Sequence, residues 1–378
     1  MADFRDMVNT AVGRALRDGI TSRSRLCAAV YRELREKHPI PSCYHVEAIN
    51  IAAAALKTYR KASGRKRHAR IPHFRKPFLS AYLGFRVVDG VLLIPVRNRE
   101  WEEIPLNGYA RSRLDGSVKV HSFSLNAITL SLTIGREPSG IECTTTVGID
   151  RNLRNATVGN ERHQEVYDLS DIPEIAQRYR NRAAHFRRDD VRIRKRIASK
   201  YFGRKSRRVR QMLHRTSREI VGKAAMNREA IVLENIRGLK DITKRGDGKG
   251  PDARHLFHNS FPYGELQCQI EYKAQWEGLP VIELTRKQTR GTSVQCSVCG
   301  CDTQVVPGRM VLCEACYQLR DRDVNACINI AVRGRTWLKR SLPKGPPGEA
   351  VNRNPVRMSE QVIRGADDGR HRNSFGSG

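Results

Sequence analysis

A chain of 378 residues with a formal charge of +30 and 39% hydrophobic residues is long enough for two or three modules with at least one real core. So large a positive excess works against a compact fold by self-repulsion and calls for a polyanionic partner, nucleic acid ahead of membrane lipid. No stretch approaches the roughly 20 apolar residues needed to span a bilayer, and the opening MADFRDMVNT lacks the charged-then-apolar layout of a secretory signal, so a cytoplasmic setting is expected.

The first part reads as helical. Residues from Phe4 to Arg17 carry apolar positions at helical spacing, and Thr21 or Ser22 can cap a second helix running to about His38. Pro39 and Pro41 break it, and Ser42 can cap a third helix with a clear apolar face. A basic stretch from Gly64 to Lys76 follows, suited to a linker or to a phosphate backbone.

From about Phe78 to Glu137 the pattern changes to short β runs. LGFRVV and VLLIPV flank Asp89-Gly90, a strong hairpin signal, and the runs that follow alternate apolar and polar residues, as in a small barrel or curled sheet. Thr144 to Asp150 opens a new strand, with NATVGN as its hairpin partner. Pro173 to Asn227 forms a long, very basic helical region. Acids are nearly absent between Val191 and Thr216, which favours a groove-lining helix for nucleic acid over a solvated helix pair.

Ala230 to Ile236 is a short buried strand, and Lys244 to His255 a flexible loop. A further helix and the strand PVIEL lead to the cysteine pairs. Asp321 to about Leu338 is helical, and from Pro343 onward Gly, Pro, Asn and charge predict a disordered tail.

The most specific chemistry lies in QCSVCG and LCEACY. Each Cys-x-x-Cys brings two thiolates together from one knuckle turn, and Cys296, Cys299, Cys313 and Cys316 together complete a tetrahedral sulfur site for Zn2+. Four thiolates leave no open position, so this zinc is structural. Cys301 beside the first pair is a spare. The remaining cysteines, Cys27, Cys43, Cys143, Cys268 and Cys327, are scattered, which fits a reducing compartment rather than a disulfide framework.

Three acids stand apart. Asp150 ends a strand beside Gly148, as a turn residue or as a group projecting into a site. Glu234 lies among apolar neighbours, where a carboxylate costs several kcal/mol unless it is paired or metal-bound. Asp323 stands at the head of a helix, as a cap or a ligand, with Asp321 competing for either role. Carboxylates suit Mg2+, and two such ions roughly 3.5–4 Å apart hydrolyse phosphodiesters.

TVGID, IVLENI, CSVCG, the second cysteine pair and DRDVNACINIA follow one another in this order, and with them the chain resembles the TnpB (OrfB) proteins of insertion sequences and the related miniature type V CRISPR effectors. The resemblance covers about Thr144 to Gly334, and more loosely Phe4 to Lys61. It implies an α/β fold with an RNase H-like (RuvC) nuclease core and an inserted zinc ribbon. A helical recognition region over 1–75 and a small wedge-like β-barrel over 76–143 would precede it. The core would occupy 144–294 and 320–341, the ribbon 295–319 and a disordered tail 342–378.

The same resemblance places the catalytic, Mg2+-binding acids on Asp150, Glu234 and Asp323, and selects Asp323 over Asp321. It implies an RNA-guided DNA endonuclease whose partners are a guide RNA from the transposon end and a duplex DNA target bearing a short adjacent motif. Alternatives are a non-cleaving guided repressor, a CRISPR effector, or a zinc-ribbon module whose acids are structural.

Overall fold

The computed structural model describes residues 1–64, 69–97, 99–114, 116–186, 190–191, 196–197, 199–236 and 262–341. The loop expected over Lys244 to His255 and the tail expected beyond 342 lie outside the described residues. Among the described residues, no helix is long and apolar enough to cross a membrane. The chain divides into two compact units, Met1–Glu137 and a second that begins at Pro138.

In the first unit, helix α1 (Ala2–Arg17) buries Phe4, Met7, Val8, Ala11, Val12 and Ala15 along one face, the spacing its sequence dictates. Helix α2 (Arg23–Lys37) is capped by Ser22, whose hydroxyl accepts from the Arg25 N–H at 3.2 Å. Helix α3 (Ser42–Ser63) starts one residue earlier than expected, with Pro41 in the cap position. Its buried Ala48 and Ala52 present small side chains on the face that also carries Ile49 and Leu56.

Strands β1 (Phe78–Ala81), β5 (Val118–Asn126) and β6 (Leu130–Arg136) form one antiparallel sheet, and β2 (Arg86–Val88), β3 (Val91–Arg97) and β4 (Glu100–Pro105) another. A short helix α4 (Gly108–Arg113) joins the two sets. The β2–β3 turn is Asp89-Gly90, with φ of 51° and 75°, the paired left-handed backbone that a tight hairpin turn requires. Tyr44 of α3 donates its hydroxyl to the Pro95 carbonyl at 2.8 Å, tying helix to sheet.

The second unit is built on a five-stranded sheet. Its members are β7 (Thr145–Arg151), β8 (Asn155–Gly159), β9 (Gln164–Asp168), β10 (Glu229–Leu233) and β11 (Val281–Glu283), in the order β11-β10-β7-β8-β9. β7, β8 and β9 are antiparallel, whereas β10 and β11 run parallel to β7. This is the RNase H-like arrangement.

The basic region resolves into α5 (Asp171–Ala184) and α6 (Ser199–Met226). Helices α7 (Tyr263–Glu277) and α8 (Arg286–Thr289) follow, then the ribbon strands β12 (Gln304–Val306), β13 (Met310–Leu312) and β14 (Leu319–Asp321), and finally α9 (Arg322–Ser341). The core is aliphatic, with β10 buried along its whole length and Leu213, Ile220, Leu266 and Ile270 packed against it.

Helix α9 lies directly on β7. A Cβ built on Gly148 would collide with the Cys327 carbonyl and the Ala331 amide, and one on Gly334 with the Val232 side chain. Both glycines are required by this close approach rather than by backbone conformation. The Thr146 hydroxyl donates to the Ala331 carbonyl at 2.8 Å. These contacts run α9 antiparallel to β7, so its first turn lies over the carboxyl end of that strand.

Candidate active site and metal centre

Asp150 is the penultimate residue of β7. Side chains alternate along a strand, so Thr146, Gly148 and Asp150 share the face that α9 covers, while Ile149 and Arg151 point the other way. Leu233 of β10 pairs with Ile149, so Glu234 leaves its strand level with Asp150. Asp323 occupies the first turn of α9, with its side chain 6% exposed. Three segments far apart in sequence thus deliver one carboxylate each to the same end of the sheet.

Electrostatics record this proximity. Burial first, and then the charge of Glu234, push the Asp150 carboxyl up to about 7. Asp323 adds further repulsion, while the Asn152 side chain, donating at 2.8 Å, and Arg322 act in the opposite direction. Burial also raises Glu234, against the pull of Arg151.

A buried acid elsewhere in the same sheet shows what ordinary satisfaction looks like. Glu229, at the opposite end of β10, accepts from Asn160 at 2.6 Å and lies 3.0 Å from His163 Nε2. Asp150 and Glu234 repel each other instead. Among the described residues the cysteines alone form a group of three or more ligand atoms within 4.8 Å of one another; the acids share one end of the sheet without closing to that distance.

Asp321 and Asp323 do different jobs. The Asp321 carboxylate accepts the N–H of Asp323 at 2.8 Å and of Val324 at 3.1 Å, which is the work of a helix cap. Asp323 accepts from Arg309 through both oxygens, at 2.8 and 2.7 Å. Arg309 stands in the β12–β13 turn with φ of 62°, so the ribbon itself supplies a cation to the third acid.

Arg151 and Arg309 carry no mark in the sequence that singles them out. Arg151 has no exposed side-chain surface, and it reaches Glu234 from behind the sheet. One guanidinium nitrogen donates to the Glu234 carbonyl at 2.6 Å and another to Gln267 at 2.8 Å, while the guanidinium comes no closer than 3.9 Å to the carboxylate, which accepts from the Arg151 backbone N–H at 3.4 Å. The stronger contact is the one to the backbone, so Arg151 fixes the chain that carries Glu234.

The four cysteines converge. The Sγ atoms of Cys296, Cys299, Cys313 and Cys316 all lie within 4.8 Å of one another, with Cys296–Cys316 at 3.6 Å and Cys299–Cys313 at 3.4 Å. A tetrahedron of bonds near 2.3 Å has edges of about 3.8 Å, so the set suits Zn2+. Burial raises the Cys296 thiol, yet the N–H groups of Cys299 and Val298 and the neighbouring thiols draw it down to about 7. Cys316, lowered by the Gln318 N–H but raised by burial and its neighbours, is pushed up to about 12.

Cys301 lies outside the cluster and contributes its carbonyl, which accepts from the Cys296 N–H at 2.7 Å. Asn325 and Asn329 of α9 pin the ribbon by donating to the Gln295 carbonyl, each at 2.7 Å. Sequence reading gave these two asparagines no role.

Residues 263–330 match the Cas12f1-like, TNB domain family, and residues 1–83 match the uncharacterized protein MJ0013 family. The TnpB-like protein MJ0751 of Methanocaldococcus jannaschii is 29% identical over 44% of this chain and 57% of its own length. The CRISPR-associated endodeoxyribonuclease Cas12f2 of a Micrarchaeota archaeon is 32% identical over 31% of this chain and 22% of its own. The chain therefore spans less than two thirds of either relative. A solved Cas12f1–sgRNA–target DNA complex superposes with a TM-score of 0.56 at 14% identity, covering 87% of this chain and 81% of that protein, which establishes a shared fold.

Proposed function

We propose that this chain, TnpB-like in sequence and Cas12f-like in fold, is an RNA-guided DNA endonuclease of the transposon-associated kind. The observation that carries the reading is the gathering of Asp150, Glu234 and Asp323 at one end of the sheet, where burial first and then the charge of Glu234 push Asp150 up to about 7. Mutual repulsion of this sort at a sheet end is wasteful in a structural role and useful in a cation site. On this reading residues 1–75 are the recognition region and 76–143 the wedge. The nuclease core occupies 144–294 and 320–341, interrupted by the ribbon at 295–319.

The three carboxylates would hold Mg2+, two ions in the usual form of this chemistry. When bound, the metal supplies an activated water and stabilises the leaving oxygen at a scissile phosphate. The chain's own residues set the geometry. Asp150 and Glu234 are fixed by the register of β7 on β10, Asp323 by the cap at Asp321, and Glu234's backbone by Arg151. Guide pairing would supply sequence choice, leaving the protein to grip backbone and a short target-adjacent motif. A charge of +30 suits that task.

The test has two parts. RNA copurified with the full chain should contain the flanking transposon end; a CRISPR repeat would instead identify a CRISPR effector. Loaded with that RNA, the chain should cut matched duplex DNA in Mg2+. Asp150→Ala, Glu234→Ala and Asp323→Ala should each lower cutting by roughly a thousandfold or more while retaining guide and target binding. Cutting that survives in all three variants sinks the assignment.

A further inference from the structure

The strand beside Asp150 carries two side-chain oxygens that the fold leaves unpaired. β8 pairs antiparallel with β7 in a register that sets Thr157 opposite Asp150 and Gly159 opposite Gly148. Directly paired residues point to the same face, so Asn155, Thr157 and Gly159 line the face that carries Asp150. Ala156 and Val158, one step out of phase, belong to the aliphatic core.

Thr157 has no exposed surface, and its hydroxyl has no hydrogen-bond partner. The side-chain oxygen of Asn155 is likewise buried and unpartnered. Among the described residues these are the only two buried side-chain oxygens in that condition. Two neighbours show that the fold can satisfy such groups. Thr146, on the same face and equally buried, donates to the Ala331 carbonyl at 2.8 Å. Asn160, just past the other end of β8, donates to Glu229 at 2.6 Å and to the Thr146 carbonyl at 3.1 Å, and its own oxygen accepts the N–H groups of Arg162 and His163. The unpaired oxygens are thus confined to the end of β8 that lies beside the acids.

A buried oxygen without a partner is costly, and in a native fold it marks a place where a water, ion or ligand belongs. Thr157 makes no hydrogen bond to Asp150, whose Oδ2 accepts from Asn152 at 2.8 Å, so what satisfies the hydroxyl comes from outside the chain. The three acids share this end of the sheet without all closing within 4.8 Å of one another, which leaves room among them for water. Mg2+ dehydrates reluctantly, keeps several waters and takes only one or two carboxylates directly. Its waters are strong donors, and a neutral hydroxyl and a neutral amide oxygen can accept from them without adding charge.

We propose that Thr157 and Asn155 are positioning residues of the cation site, accepting hydrogen bonds from the hydration shell of Mg2+ held beside Asp150. The proposal rests on the reading of the three carboxylates as a Mg2+ site and deepens it. β8 contributes none of the acids, and its part is to orient water on their flank.

The experiment titrates Mn2+ into the full, zinc-loaded chain stripped of nucleic acid and follows free Mn2+ by electron paramagnetic resonance. Thr157→Val keeps the shape of the side chain and removes the hydroxyl. It should weaken Mn2+ binding about tenfold, the low end for groups that act through a metal's own ligands, and raise the Mg2+ needed for half-maximal cutting by a similar factor. In EDTA its thermal midpoint should equal or exceed the parent's, because the lost hydroxyl had no partner. Thr157→Ser, which restores the hydroxyl, should bind Mn2+ within about threefold of the parent. Asn155→Ala should weaken Mn2+ in the same direction as Thr157→Val, and Asp150→Ala should weaken it more than either.

The proposal is overturned if either Thr157→Val or Asn155→Ala binds Mn2+ as tightly as the parent while Asp150→Ala does not, and the carboxylate reading then stands without it. A lower midpoint for Thr157→Val with Mn2+ binding unchanged would assign the hydroxyl to an ordinary structural water. Mn2+ binding that survives Asp150→Ala at full strength defeats the carboxylate reading and this proposal together.

Discussion

The four thiols of the ribbon come from one stretch of chain, Cys296 to Cys316, whereas the three carboxylates are gathered from β7, the end of β10 and the start of α9. The thiols already stand near tetrahedral spacing because two knuckle turns and two asparagines of α9 hold them there. The carboxylates are held by an entire sheet and the helix laid across it, and they repel one another. A local site can thus be specified by spacing alone, while a site assembled from a distance depends on every contact that brings its elements together.

Breaking the local site should have the largest effect on metal content. Cys296→Ser or Cys313→Ser should take bound zinc from about one equivalent to none by elemental analysis and loosen the ribbon, because structural zinc supplies folding free energy outright. Cys301→Ser should leave the zinc in place. Retention of zinc by the first two variants would remove them from the ligand set.

The distant site should fail through packing. Gly148→Ala forces a methyl group against the backbone of α9, so a loss of about 1–3 kcal/mol is expected, read as a lower thermal midpoint. The shift of α9 would also move Asp323, so cutting should fall although no carboxylate has changed. An unaltered midpoint and unaltered cutting would mean that α9 does not sit this close to β7.

The cost of burying the Asp150 charge beside Glu234 can be relieved. Asp150 has a folded pKa of about 7, above its ordinary 3.8, so the unfolded chain binds fewer protons across that window. Stability of the metal-free protein should therefore be highest below pH 4 on this account and be lost as pH rises through 7. Asp150→Asn removes this pH dependence. In EDTA at pH 8 the variant should be more stable than the parent by about 1–3 kcal/mol, with the gap shrinking toward pH 5, while cutting is lost. A variant less stable at pH 8 would show that the carboxylate is satisfied in the fold.

The smallest effect sharpens the division between the two neighbouring acids. Asp321→Ala removes a cap and should cost about 1 kcal/mol, with most cutting retained, in contrast to Asp323→Ala. Equal loss of cutting in both would show that the cap and the site are inseparable.

Much of this was legible beforehand. The hairpin at Asp89-Gly90, the cap at Ser22 and the strand that carries Asp150 follow from local chemistry, and they lie close to where residue type and spacing place them. Arg151 and Arg309 were not legible, because a cation's role depends on which distant carboxylate or carbonyl it meets. The roles of Asn325 and Asn329 were hidden for the same reason, since an amide on a helix announces neither its direction nor its partner.

By itself the order of residues determined the elements, the thiol quartet and the excess of positive charge, since these depend on neighbours in sequence and on composition. Only the tertiary structure decided that the Asp321 carboxylate caps α9, that Arg151 acts through Glu234's backbone, and that Arg309 of the ribbon reaches Asp323. Those outcomes depend on strand register and helix packing, where one residue of slip would turn each side chain to the opposite face.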